Sequence, residues 1–203
     1  LTHIGHSEKV LVMRVFIAVL VLIFSLQSWA KADDISEFEI EGISIRDSAL
    51  EYFSKDEIED RKKVGFIYKK KDFYSATFFN KKFYEFYDNI QLHLKKNDNR
   101  YIVYSVGGQK KINNYQNKCF KQMDEVLTSI KSFFPKARVL DVGIEDWTAP
   151  SNNGTKVKSY YVQLSSKDEI SIQCYDHPNS SKEFEDNLLV AIDSKEFAEW
   201  LYD

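Results

Sequence analysis

Along this chain the spacing of apolar residues passes from an unbroken run to alternation, then to a helical stripe and back to alternation. From Met13, the first methionine, one basic residue (Arg14) precedes an apolar run from Val15 to Phe24 that continues through Leu26. Gln27-Ser28-Trp29 and the small-x-small step Ala30-Lys31-Ala32 follow, then the acidic Asp33-Asp34. Basic, apolar, polar and small, in that order, is what a signal peptidase reads. A bilayer span takes about 20 apolar residues, more than Val15 to Leu26 supplies. The pattern therefore predicts an upstream extension over 1–12, a signal peptide over 13–32 cleaved near Ala32, and one folded domain over 33–203. That domain would be periplasmic or secreted and would meet a membrane only through the signal peptide before cleavage. No cysteine lies near the cleavage point, which argues against a lipid anchor.

Residues 35–46 alternate apolar and polar and read as an exposed strand or arm. Asp47 is placed to cap a helix over Ser48 to Phe53. Ser54-Lys55-Asp56-Glu57 has capping-box spacing for a second short helix. Residues 64–109 are dense in aromatic and β-branched side chains, which favours strands. Asp88 to Lys95 puts Ile90, Leu92 and Leu94 on one face and Gln91 and His93 on the other. Arg100 to Val106 alternates in the same way, and Gly107-Gly108 is expected to end it. Such alternation marks a sheet with one covered face and one solvated face. Over about Tyr115 to Phe134 the period changes. Phe120, Met123, Leu127, Ile130 and Phe134 form one helical stripe, with Cys119 at its edge, and Pro135 stops the helix. Four strands follow: Arg138 to Ile144, Val157 to Leu164, Glu169 to Tyr175 and Asn187 to Ile192. The first two are separated by a long loop containing Asn153-Gly154, and the second and third by a turn at Ser165 to Asp168. Ser194 caps a last helix with Phe197, Trp200 and Leu201 on its apolar face. The fold class is α+β: an antiparallel sheet with one long helix packed on it and short terminal helices.

Charge narrows the function. The formal net charge is −3, which argues against a general nucleic-acid binder. The only cysteines, Cys119 and Cys174, both follow the signal sequence. An even count in an oxidising compartment points to a disulfide. Cys174 shares the inward face of its strand with Ile170 and Ile172, and Cys119 lies on the buried side of the long helix, so the two periodicities bring the sulfurs into range.

The segment Asp34-Ile35-Ser36-Glu37-Phe38-Glu39-Ile40-Glu41-Gly42-Ile43-Ser44-Ile45, with Asp47-Ser48, Tyr52-Phe53-Ser54, the Cys119 helix and Cys174-Tyr175-Asp176, resembles a family of short exported bacterial proteins. The resemblance spans most of the chain after the signal sequence. It implies export and a single domain and names no activity. The family commonly carries Gly where this chain has Arg46, so a different turn is expected there.

Cys174, Asp176 and His177 are the one place where thiol, carboxylate and imidazole cluster, but a thiol held in a disulfide cannot attack. His93 and His177 read as solvated side chains, without the convergent ligands of a zinc site. The acidic pairs Asp56-Glu57, Glu59-Asp60 and Glu185-Asp186, with Glu183, suit capping and solubility better than glycoside hydrolysis. Gly107-Gly108 lacks the Lys-Ser/Thr step of a phosphate loop. The sequons at Asn153 and Asn179 carry little weight. Phe73, Tyr74, Phe78, Phe79, Lys81, Lys82 and Tyr84 interleave aromatics with lysines and form the candidate binding surface. The reading is a non-enzymatic binding module without cofactor or metal, whose partner is an envelope protein, a glycan or a lipid headgroup. Its rival is an envelope hydrolase built around Asp176 and His177.

Overall fold

The computed structural model describes residues 35, 38–66, 68–79, 84–112, 115–147, 154–178 and 185–202. The extension over 1–12, the signal sequence over 13–32, Lys81, Lys82, Asn153, Asn179 and Glu183 lie outside them.

Seven strands form one antiparallel sheet: β1 (Phe73–Phe78), β2 (Asn89–Lys95), β3 (Val103–Lys111), β4 (Arg138–Asp146), β5 (Lys156–Gln163), β6 (Glu169–Asp176) and β7 (Asn187–Asp193). Their order across the sheet is β1-β2-β3-β7-β6-β5-β4, so β7, the last strand made, joins the β1–β3 meander to the β4–β6 meander. Among the described residues the helices are α1 (Lys55–Arg61), α2 (Tyr115–Phe133) and α3 (Lys195–Tyr202), with 3-10 turns at Ala49–Glu51 and Lys62–Val64.

The first face carries the apolar alternation. Ile90, Leu92, Leu94, Val106, Ile170, Ile172, Cys174, Leu188, Val190 and Ile192 are buried there, together with Cys119, Met123 and Ile130 of α2. The expected sheet roofed by one long helix is not what forms. Strands dominate, and α2 packs mainly along β6 and β7. The β1–β3 half of the same face is covered by the N-terminal segment, where Ile40, Ile43, Ile45, Ala49 and Ile58 are buried. The described residues of 35–46 are therefore no exposed arm. A tight turn with positive φ at Glu41 and Gly42 folds Ile40 back against Ile43, and the alternation that suggested a strand places isoleucines on the core.

Local chemistry sets the ends of the short helices. Ser48, rather than Asp47, caps the first turn, while the Asp47 carboxylate accepts from the Ser44 amide at 2.8 Å and the Tyr52 hydroxyl at 2.7 Å. Ser54 and Glu57 form the expected capping box. Gly107 and Gly108 lie inside β3 rather than ending it. A Cβ on Gly108 would stand 2.5 Å from Cγ of the Tyr87 ring, so this position needs a residue without one.

Cys119 and Cys174 are disulfide-bonded, with both side chains buried and their Cα atoms 6.1 Å apart. The bridge ties α2 to β6, and a buried disulfide fits an oxidising compartment. No helix among the described residues is long and apolar enough to cross a membrane.

Candidate functional site

The second face differs in kind. Strand register carries a row of polar residues across it: Ser75 on β1 pairs His93 on β2, His93 pairs Ser105 on β3, Ser105 pairs Asp193 on β7, and Asp193 pairs Glu169 on β6. Because directly opposed residues point to the same side, all five project from one face. Sequence alternation predicts solvated side chains here. Instead Ser75, His93, Ser105 and Asp193 are buried, because α3 leaves β7 at Ser194 and folds back over them. Ser194 accepts from the Phe197 amide at 3.2 Å, and the Phe197 ring stacks on His93 at 4.5 Å. Phe197 and Trp200 dock on the sheet as the helical pattern predicts, whereas Leu201 is exposed.

The buried row is linked by hydrogen bonds. The Tyr68 hydroxyl lies 2.7 Å from Nε2 of His93, Nδ1 of His93 lies 3.0 Å from Oγ of Ser105, and Ser105 hydrogen-bonds the Asp193 carboxyl. Burial pushes the His93 pKa down to about 3, so its ring is neutral. A neutral ring donates from one nitrogen and accepts at the other. With Asp193 ionised, one assignment satisfies every group: Tyr68 donates to Nε2, Nδ1 donates to Ser105, and Ser105 donates to Asp193. His93 is thus an internal link rather than the solvated histidine expected. Burial raises the Asp193 pKa to about 6, opposed by the Ser105 bond. Burial, and then the charge of Asp193, raise that of Glu169 to about 7. Oε1 of Glu169 is buried with no hydrogen-bond partner.

The next two rows of this face carry no charge. One runs through Thr77, Gln91, Gly107, Ala191, Ser171, Tyr161 and Leu140, the other through Asn89, Gln109, Leu189, Gln173, Ser159 and Gly143. Leu189 and Ala191 close over Gly107, where a Cβ would lie 3.2–3.3 Å from their side-chain carbons. Gln91, Gln109, Leu189, Gln173 and Tyr161 are only half-buried. The Gln173 amide is fixed on both sides. Its Nε2 donates to Ser159 at 3.2 Å and to the Tyr161 hydroxyl at 3.2 Å, and its Oε1 accepts from the Tyr175 hydroxyl at 3.1 Å.

The aromatic surface expected over 73–84 does not stand out in solvent. Phe73 is buried beneath α3 against Tyr104, Phe197 and Trp200. Tyr74 and Phe78 face the other way, where Phe78 stacks on Phe53 at 3.7 Å. Tyr84 is buried too, and among the described residues of this set only Phe79, 55% exposed, keeps the expected character. Interleaved aromatics imply one exposed stripe only if one face of the sheet is bare, and at β1 both are covered.

The structure also brings Asp176, His177 and Asp186 together, in a bracing arrangement. Nδ1 of His177 pairs with the Thr155 hydroxyl at 2.9 Å, and the Asp186 carboxylate accepts from the His177 backbone amide at 2.8 Å. His177 is buried against Tyr175 and Trp147, which lowers its pKa, while burial and the nearby Asp186 raise that of Asp176. Among the described residues no three metal-ligating side chains gather into a site. The polar row was missed because its signal, small and polar residues at alternate positions of five strands, is the same as that of a wet face.

No family model, curated protein or solved structure matches this chain.

Proposed function

We propose that this is an exported, non-enzymatic binding module, and that its ligand, a neutral polyhydroxylated molecule of glycan type, lies on the uncharged half of the second sheet face. The observation that carries the reading is the composition of that half: the half-buried amides of Gln91, Gln109 and Gln173 beside the Tyr161 ring, with no ionic group in either row. Sugars are bound by planar amides and hydroxyls that exchange hydrogen bonds in pairs and by rings that cover their C–H faces. Gln173 is held by three hydrogen bonds that leave one Oε1 lone pair for a ligand hydroxyl, so little side-chain entropy is lost when a ligand docks. An anionic headgroup would call for lysine or arginine here, and an envelope protein for a larger apolar patch. Export is supported by the order of charged, apolar and small residues before Asp33 and by the buried Cys119–Cys174 bridge.

The test is nuclear magnetic resonance titration of the oxidised protein with chitotetraose and maltotetraose as neutral probes and a heparin tetrasaccharide as an anionic one. A neutral probe should shift the side-chain amides of Gln91, Gln109 and Gln173, and Gln173→Ala should weaken binding at least tenfold. Shifts confined to the heparin arm, or none at these amides with any probe, would overturn the assignment.

A further inference from the structure

We propose that Glu169 and Asp193 form a pH-operated latch for α3: the helix closes over the pair when a proton is held there, and loosens when both carboxyls ionise. This does not depend on what the uncharged half of the face binds.

The geometry has three parts. The two carboxyls are opposed on neighbouring strands, where side chains stand about 5 Å apart. Neither makes an ion pair among the described residues, and Oε1 of Glu169 has no hydrogen-bond partner. Finally, the cover is a short helix joined to β7 through Ser194 alone, so it can lift without disturbing a strand.

The groups facing the pair are neutral. From the sheet these are His93, Ser105, Tyr161 and Gln163; from the segment before β1, Tyr68; and from α3, Tyr202, whose hydroxyl bonds Tyr161 beside both acids. The charged groups of α3 and its surroundings are engaged elsewhere. Lys195 pairs with Glu199, Lys95 with Glu196, Lys70 with the Trp200 carbonyl, Asp72 with the Trp200 indole, and Arg46 with Asp168. Two anions beneath the helix would face each other with no cation among the described residues paired to either, and lifting α3 admits the water that would solvate them.

Closing therefore takes up protons. Freed carboxyls ionise near pH 4, covered ones nearer 6 to 7, so opening should rise with pH across that interval by up to about tenfold per unit for each proton released.

Hydrogen exchange of the oxidised protein, corrected for intrinsic rate, measures it. From pH 5.5 to 8.5 the amides of 195–202 should lose protection at least tenfold while those of β2 and β6 keep theirs. Glu169→Gln should hold α3 protected at pH 8.5, and Asp193→Asn provides a second variant should the first fail to fold. Unchanged protection in the native protein, equal loss in the strands, or native-like loss in a folded variant would each refute the latch.

Discussion

Arg46 carries two opposed terms, and substituting it separates them. Its backbone has φ 77°, a left-handed conformation that an L-residue adopts at about 1–2 kcal/mol and glycine adopts freely. Its guanidinium reaches Asp168 at 2.9 Å, and Asp168 is only 2% exposed. That carboxylate also accepts from Ser166 Oγ at 2.8 Å and from the Lys195 amide at 2.8 Å, so it joins the N-terminal segment, the β5–β6 turn and the start of α3. Removing one partner of a buried charge costs roughly 3–5 kcal/mol when nothing replaces it. With two partners retained and Arg46 half-exposed, about 3 kcal/mol is the reasonable figure. Arg46→Gly should thus be less stable by about 2 kcal/mol, near 6 °C in Tm for a domain of this size. Arg46→Ala loses the pair and keeps the strain, so it should fall about 1 kcal/mol further. Urea unfolding of the oxidised proteins, followed by circular dichroism, gives both differences. If Arg46→Gly matches or exceeds the parent, the contact to Asp168 is worth less than the backbone strain and the reasoning fails; equal stability of the two variants would remove the strain.

Raised carboxyl pKa values stabilise the fold below the unfolded pKa near 4 and lose that contribution as pH rises through about 6 for Asp193 and 7 for Glu169. Urea midpoints should accordingly fall from pH 5.5 to 8, and Glu169→Gln should recover about 1–2 kcal/mol at pH 8, the screened value for a half-exposed group; a flat native profile would contradict this. Tyr68→Phe strands Nε2 of His93 and should lose about 1–2 kcal/mol in the same assay, with no loss meaning that water replaces the hydroxyl. Cys119→Ser with Cys174→Ser opens a bridge between residues 55 apart and should lower stability by about 3–4 kcal/mol; a reduced protein as stable as the oxidised one would count against the bridge as a support of the fold.

What could be read in the sequence was whatever one period decides. The stripe Met123 and Ile130 placed Cys119 inward, the alternation Ile170, Ile172 did so for Cys174, and the bridge followed. Ser54 and Glu57 fixed a helix start because that bond is local. The failures are all tertiary. Gly107-Gly108 resembles a strand end until Tyr87 is laid across Gly108, and residues 35–46 alternate like a strand although a turn at Glu41-Gly42 spends the pattern on the core. Arg46 is a separate case. Its backbone adopts φ 77°, a conformation suited to glycine, while Asp168 holds the guanidinium.

The polar row has to be explained by something other than stability. Apolar side chains of similar shape at His93, Ser105 and Asp193 would avoid desolvating an imidazole, a hydroxyl and a carboxyl, and replacing buried polar sets in this way is often neutral or stabilising. The opposite face of the same sheet shows that the chain has such a solution, since Leu92, Val106, Ile192 and Ile170 form the equivalent row there. A helix needing only an apolar seat could have rested on a copy of that row. α3 rests instead on a linked tyrosine, histidine, serine and two unpaired acids, with Glu169 left one hydrogen bond short. Packing alone therefore favours a different sequence at these positions, and the proposed latch supplies a use for the polar one.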